Sequence, residues 1–325
     1  MKFAAVFPGQ GSQTIGMGKF LFENFDIARH LFEEASDTIK INMKSLLFEG
    51  PEDKLQLTQN TQPAIVLVST CAFRILEDHT PLTDKISYLA GHSIGEYSAA
   101  VAGGVLKFQD AIFAVYERGK AMQEAVPLGK GAMTAVLGLT RPQVQHICEW
   151  ATKTCNGKIV EPANYNSPDQ VVISGYRESV DWLAKNYSSE QLSGFENIPK
   201  KVRFIPLNVS APFHCRLMQP AQDKMKVVLE GLDFKNSKWP IIQNVDAQPQ
   251  ADRKQIRQNL IRQISASVLW SDSMLFLHQK ACVHHLELGQ SKVLAGLGKK
   301  ISSDINVHCM TTLDEFRNLE KILKS

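Results

Sequence analysis

Residues 86–105, ISYLAGHSIGEYSAAVAGGV, restrict the fold more than any other stretch of this chain. ISYLA is short and mostly apolar and predicts a buried strand. IGEYSAAVAGGV is rich in small residues and predicts a helix. Between them lies Gly91-His92-Ser93-Ile94-Gly95, a match to G-x-S-x-G. Three fixed positions in five recur by chance, so the flanking strand and helix are what give the match weight. At so sharp a turn the serine backbone is strained, and the two glycines leave room for close packing. The start of the helix also aims backbone N–H groups at that point, which favours a developing negative charge. Two readings of Ser93 follow from this stretch alone: a nucleophile, or a serine that caps the helix.

The rest of the chain has the same alternating character. A strand is predicted over 3–7, closed by the turn PGQG. Residues 20–39 carry Leu21, Phe25, Ala28, Leu31, Phe32 and Ala35 at helical spacing. A loop and helix start follow at 50–55, a long apolar helix at 61–76 with Pro63 in its first turn, and another helix at 110–125. Strands alternating with helices imply an α/β fold with a mostly parallel sheet covered on both faces. The pattern changes at PLGKG, 127–131. Strand 132–139, helix 141–152, strands 159–163 and 170–174 around an Asn-Ser-Pro turn, helix 179–187 and strand 201–207 are predicted next. That is β-α-β-β-α-β, the ferredoxin-like arrangement. It predicts a small subdomain over 129–205 inserted into a large domain made of 1–128 and 206–325. Beyond 212 helices return, with one strand near 283–288.

Composition excludes several classes. The 325 residues are 44% hydrophobic, enough for a sizeable core. Net charge is +3 with the signs interspersed, so nucleic acid is not an expected partner. The six cysteines form no C-x-x-C pair and no zinc spacing, which predicts reduced thiols in the cytoplasm. No apolar run reaches membrane-spanning length, and the N-terminal apolar stretch is too short for a signal peptide. GQGSQTIG does not match G-x-G-x-x-G, and no G-x-x-x-x-G-K-[ST] occurs.

A serine nucleophile needs a base. His92 adjoins Ser93 and predicts packing rather than catalysis. His284 and His285 fall in a buried-looking strand. His30, His79, His146, His278 and His308 have no other chemistry near them in sequence. His214 lies in a loop between a strand and a helix and follows the serine in chain order; it is either the base or a structural loop histidine.

With these residues in view, the chain resembles the malonyl-CoA:acyl-carrier-protein transacylases of fatty acid synthesis nearly end to end. The resemblance rests on FPGQGSQ (7–13) with Met17-Gly18, TQPA (61–64), GHSIGEYSA (91–99), ERGKAMQEAVP (117–127) and GAM (131–133). It continues through NYNSPDQVVISG (164–175), PFHCRLM (212–218), NVDA (244–247) and LIRQISASVLW (260–270). The resemblance implies a hydrolase-like α/β domain with a ferredoxin-like insert, Ser93 as the acylated nucleophile and His214 as its base. It implies that Arg118, otherwise an ordinary helix charge, grips the free carboxylate of malonate through a two-pronged pair that lysine cannot copy. It implies oxyanion N–H donors from the Gln10 loop and from Ile94, and a Gln263 backbone carbonyl as acceptor for the histidine ring in place of an acid. Asn164 is implied to line the pocket; on its own it reads equally as a turn residue. Phe213 is the form that accompanies malonyl preference. The chain departs from the family at Gly289-Gln290-Ser291, where Gly-Pro-Gly is usual, so a different local backbone is expected there.

The implied reaction passes through a malonyl-serine ester, from malonyl-CoA to the phosphopantetheine thiol of an acidic acyl carrier protein, in a monomer with no cofactor and no metal. Lys200-Lys201-Val202-Arg203 and Lys299-Lys300 are candidate docking charges, or ordinary solvated ones. A serine esterase shares the G-x-S-x-G match but has no need of Arg118. A polyketide acyltransferase shares the whole site and differs only in its carrier.

Overall fold

The computed structural model describes residues 1–209 and 211–325. Among the described residues ten strands form two sheets: β1 Phe3–Phe7, β2 Ile86–Gly91, β3 Gly131–Leu137, β4 Val160–Ser167, β5 Gln170–Tyr176, β6 Arg203–Pro206, β7 Ile241–Ile242, β8 Pro249–Gln250, β9 His284–Glu287 and β10 Asn306–Cys309. The first sheet has the order β10-β9-β1-β2-β7-β8 and is parallel except where β8 turns back on β7. Its central strand β1 is buried at all five positions, as a strand covered on both faces must be. The second sheet, β4-β5-β3-β6, is wholly antiparallel. Helix Arg141–Thr154 links β3 to β4 and helix Arg177–Asn186 links β5 to β6.

The helix Thr58–His79 runs through the middle of the large core and is buried on nearly every side. It lies against helix Phe108–Glu124 at Gly119, where a Cβ would stand 2.4 Å from the Gln59 Cα. That close approach brings the neighbouring Arg118 into the interior.

Several predicted elements differ in extent. The expected helix 20–39 is two helices, Lys19–Asn24 and Asp26–Ile39, broken at Phe25, whose backbone is extended (φ −136°, ψ 126°). Periodicity continues across the break because Phe25 still turns inward, its ring 5.0 Å from that of Phe316. Thr58–His79 starts earlier than expected, so Pro63 lies inside the helix rather than in its first turn. The helix expected over 94–105 is the shorter Gly95–Ala102. The turn between β4 and β5 falls at Pro168-Asp169, not at Asn-Ser-Pro; Asn166 and Ser167 belong to β4. β7, β8 and β10 were not legible, being two to four residues long and defined by their partners.

The departing loop is tied down by its own side chains. Gln290 accepts from the Gly18 N–H (3.3 Å) and donates to the Thr311 carbonyl (3.1 Å), and Ser291 Oγ donates to Glu287 (2.5 Å). No helix among the described residues is long and apolar enough to cross a membrane.

Candidate active site

The site sits where the carboxyl ends of β1 and β2 meet, the usual place for a ligand on a parallel sheet. β2 ends at Gly91, and helix Gly95–Ala102 begins four residues later. Ser93, between them, has φ 52°, a left-handed conformation that a side chain adopts only under constraint. Both glycines of the turn are required by contact. A Cβ on Gly91 would lie 2.0 Å from the Gly95 backbone, and one on Gly95 would lie 2.2 Å from the Phe7 carbonyl oxygen. The bend therefore closes on itself and on β1, which leaves the Ser93 side chain pointing outward. No side chain caps the helix; Ser93 Oγ is instead 2.6 Å from His214 Nε2. The structure thereby rules out the helix-cap reading.

His214 comes from the loop after β6, is only 4% exposed and also has a positive φ of 59°. Its Nδ1 lies 2.9 Å from the backbone oxygen of Gln263. Gln263 ends helix Arg253–Arg262, where the last carbonyls lack partners within the helix. One of these takes the Nδ1 proton, which leaves Nε2 as the acceptor facing Ser93. Burial, and then the nearby Arg118 charge, lower the His214 pKa from its usual value to about 3. The ring is therefore neutral at physiological pH and able to take a proton from Ser93 Oγ.

Arg118 is 1% exposed and has no carboxylate within ion-pair distance among the described residues. Its Nη2 donates to Gln263 Oε1 (2.9 Å) and lies 3.4 Å from Ser93 Oγ, and its Nε has no partner among the described residues. Arg118 is also the one charged residue among the described residues lining the cavity in front of Ser93. That cavity is about 230 Å³, and its lining includes the polar Gln10, Gln62 and Asn164 and the apolar Ile94, Met122, Met133, Val209 and Phe213. Pockets for drug-sized ligands are typically about 300–1,000 Å³, so this one suits a short acyl group. The backbone N–H groups of Gln10 and Ile94 meet no acceptor among the described residues, and both residues face the cavity. Asn164 is brought to the wall by β4.

Three residues not singled out from sequence hold this arrangement. Asn244, after β7, accepts from the Ser93 N–H and donates to the Gly91 carbonyl, both at 2.7 Å, and so pins both sides of the strained turn. Glu96 is buried on the helix after Ser93 and accepts from Gln263 Nε2 at 2.6 Å. Asn166 Oδ1 lies 2.8 Å from His92 Nε2 and ties the antiparallel sheet to the turn. His92 packs on Trp270, as expected for a packing residue, but it lines the cavity too. Glu96 had a signal in sequence, a lone acid in a helix of small residues. Asn244 and Asn166 had none beyond their motifs.

A cavity of about 350 Å³ lies elsewhere, lined by Arg74, Lys107, Lys235 and Lys238. The Ser93–His214 pair does not border it.

The acyl transferase domain model matches residues 5–284. A malonyl CoA-acyl carrier protein transacylase of Bacillus subtilis (strain 168) is 42% identical over 301 residues, 93% of this chain and 90% of that protein. One from Escherichia coli O157:H7 is 40% identical over 92% of this chain and 93% of its own length. Among solved structures, an acyl-carrier-protein-S-malonyltransferase from Bartonella henselae superposes with TM-score 0.92 at 37% identity over the whole of both chains. A malonyl-transacylase in complex with its type II PKS acyl-carrier protein superposes with TM-score 0.91 at 37% identity, over 99% of this chain and 100% of that one. The chain thus has the fold and match of an acyl transferase. It belongs to the malonyl CoA-acyl carrier protein transacylase family.

Proposed function

We propose that this chain transfers the malonyl group of malonyl-CoA to the phosphopantetheine thiol of acyl carrier protein, supplying malonyl carrier for fatty acid synthesis. Ser93 is the nucleophile. His214 Nε2 takes its proton as Oγ attacks the thioester carbonyl, and coenzyme A leaves. The carrier thiol then gives its proton to His214 and takes the malonyl group from the serine ester. The N–H groups of Ile94 and Gln10 hold the oxyanion in both halves. The Gln263 carbonyl keeps the histidine tautomer without a buried third charge. Arg118 pairs with the malonyl carboxylate, and Asn164 lines the acyl pocket.

The observation that carries this reading is the buried guanidinium without a carboxylate partner among the described residues, 3.4 Å from Ser93 Oγ, in a cavity sized for a short acyl group. An esterase has no use for such a charge. We also read residues 1–128 and 206–325 as a hydrolase-like domain and 129–205 as a ferredoxin-like insert. The strand–turn–helix at Ser93 and the β4-β5-β3-β6 order support that division.

Coenzyme A release from malonyl-CoA, followed with and without phosphopantetheinylated carrier, tests the acceptor. We expect one burst per site without carrier and steady turnover with it. Steady release without carrier makes water the acceptor and overturns the transferase reading. Salt should slow the carrier step more than the coenzyme A step if exposed Lys200, Lys201 and Arg203 steer an acidic carrier.

A further inference from the structure

Arg118 and Glu96 do not touch, yet a single amide joins them. Arg118 Nη2 donates to Gln263 Oε1 at 2.9 Å, and Gln263 Nε2 donates to Glu96 Oε2 at 2.6 Å. The same carboxylate oxygen accepts from the Asn244 N–H at 3.3 Å, while Oε1 has no partner among the described residues. Both charged residues are 1% exposed. A cation and an acid at opposite ends of one amide polarise it in the same sense. This chain of bonds therefore orients the guanidinium more firmly than packing alone.

We propose that Glu96 is a positioning residue for the acyl carboxylate: through the Gln263 amide it aligns Arg118, and it must carry a proton for a malonyl carboxylate to pair with Arg118. The inference rests on Arg118 being the malonyl-binding residue. With the site empty, one buried cation faces one buried acid. When malonyl arrives, two carboxylates share that cation in a dry site, and such an arrangement favours protonation of one of them. Malonyl is already paired directly, so the proton goes to Glu96.

The groups acting on Glu96 are Arg118 from helix Phe108–Glu124, Asp246 from the turn after β7, and Tyr97 on its own helix. Burial, with a smaller push from Asp246, raises the Glu96 carboxyl to about 8 in the empty site, against the hydrogen bonds from Gln263 and Asn244 and the Arg118 charge, which lower it. The sign follows. Below that pH Glu96 already carries its proton, and malonyl binding is independent of pH. Above it Glu96 is ionised, binding must draw a proton, and malonyl affinity falls as pH rises.

The test is the KM for malonyl-CoA in Ser93 acylation between about pH 6.5 and 9.5. In the parent, KM should stay flat and then rise above about pH 8, by at most about tenfold per pH unit, with kcat changing less. In Glu96→Gln, which keeps an acceptor for Gln263 but cannot ionise, KM should stay flat throughout. A KM that rises alike in parent and Glu96→Gln overturns the proposal while leaving the malonyl-serine reading intact. If Glu96→Gln does not fold, the parent still decides. Slow acetyl-CoA loading must lack the rise that malonyl-CoA shows, and an equal rise in both overturns the proposal. Absence of any Ser93 adduct in the parent is a separate outcome, and it sinks the underlying function instead.

Discussion

His214→Ala lowers the rate of Ser93 acylation by malonyl-CoA by about 10³-fold, within the range of about 10²–10⁴ typical of a positioned general base. The variant keeps its fold, because His214 sits in a loop and bonds to one side chain and one carbonyl. The pH profile of the parent carries a second mark of the same residue. Burial and the Arg118 charge lower its pKa to about 3, so the neutral ring persists far below the usual imidazole range. The acid limb of kcat/KM for loading should therefore not fall near the ordinary histidine value. Stopped-flow release of coenzyme A over the pH range checks both. A variant that loads within threefold of the parent would contradict the assignment, whereas an acid limb near pH 6.5 that vanishes in His214→Ala would keep His214 as the base and contradict only its lowered pKa.

Arg118→Ala has the next largest effect. Removing one partner of a buried charge pair costs about 2–5 kcal/mol, so malonyl loading should fall about 30- to 4,000-fold. The loss should be selective. Acetyl-CoA has no carboxylate for Arg118, so its loading should fall far less or rise, and discrimination between the two substrates should collapse. Arg118→Lys should not restore it, because an ammonium cannot form the two parallel bonds of a guanidinium. The measurement is kcat/KM for both thioesters in all three proteins. Malonyl loading by Arg118→Ala as fast as by the parent would remove Arg118 from the site.

Much of this was legible in sequence, and the reasons differ by residue. The turn at Ser93 was legible because local chemistry imposes it. Gly91 and Gly95 are there because the backbones of Gly95 and Phe7 leave no room for a Cβ, and a strand-to-helix change of composition marks the place. The union of Ser93 with His214 was not, since 121 residues separate them. Spacing left His214 as a base or a loop residue, and only the resemblance chose. The parallel arrangement of β1 and β2 followed from alternation of strand and helix. β7 and β10 did not, because short strands at or near a sheet edge owe their extent to the neighbour they pair with. The break at Phe25 was hidden because the residue keeps its inward face through a change of backbone. Asn244 was hidden for a different cause. An asparagine in a short motif reads as a turn residue, and its two bonds to the Ser93 turn exist only once β7 lies beside β2. Glu96 was the one buried acid with a visible anomaly, a charge in a helix otherwise built of small and apolar residues.

In the proposed reaction Ser93 carries the malonyl group between two thiols. Intact-protein mass after brief mixing with malonyl-CoA tests this directly, with Ser93→Ala alongside. One malonyl adduct on the parent, none on Ser93→Ala, and movement of that adduct to added acyl carrier protein is the predicted result. An adduct that survives in Ser93→Ala, or one lost to water at the same rate with and without the carrier, would contradict it.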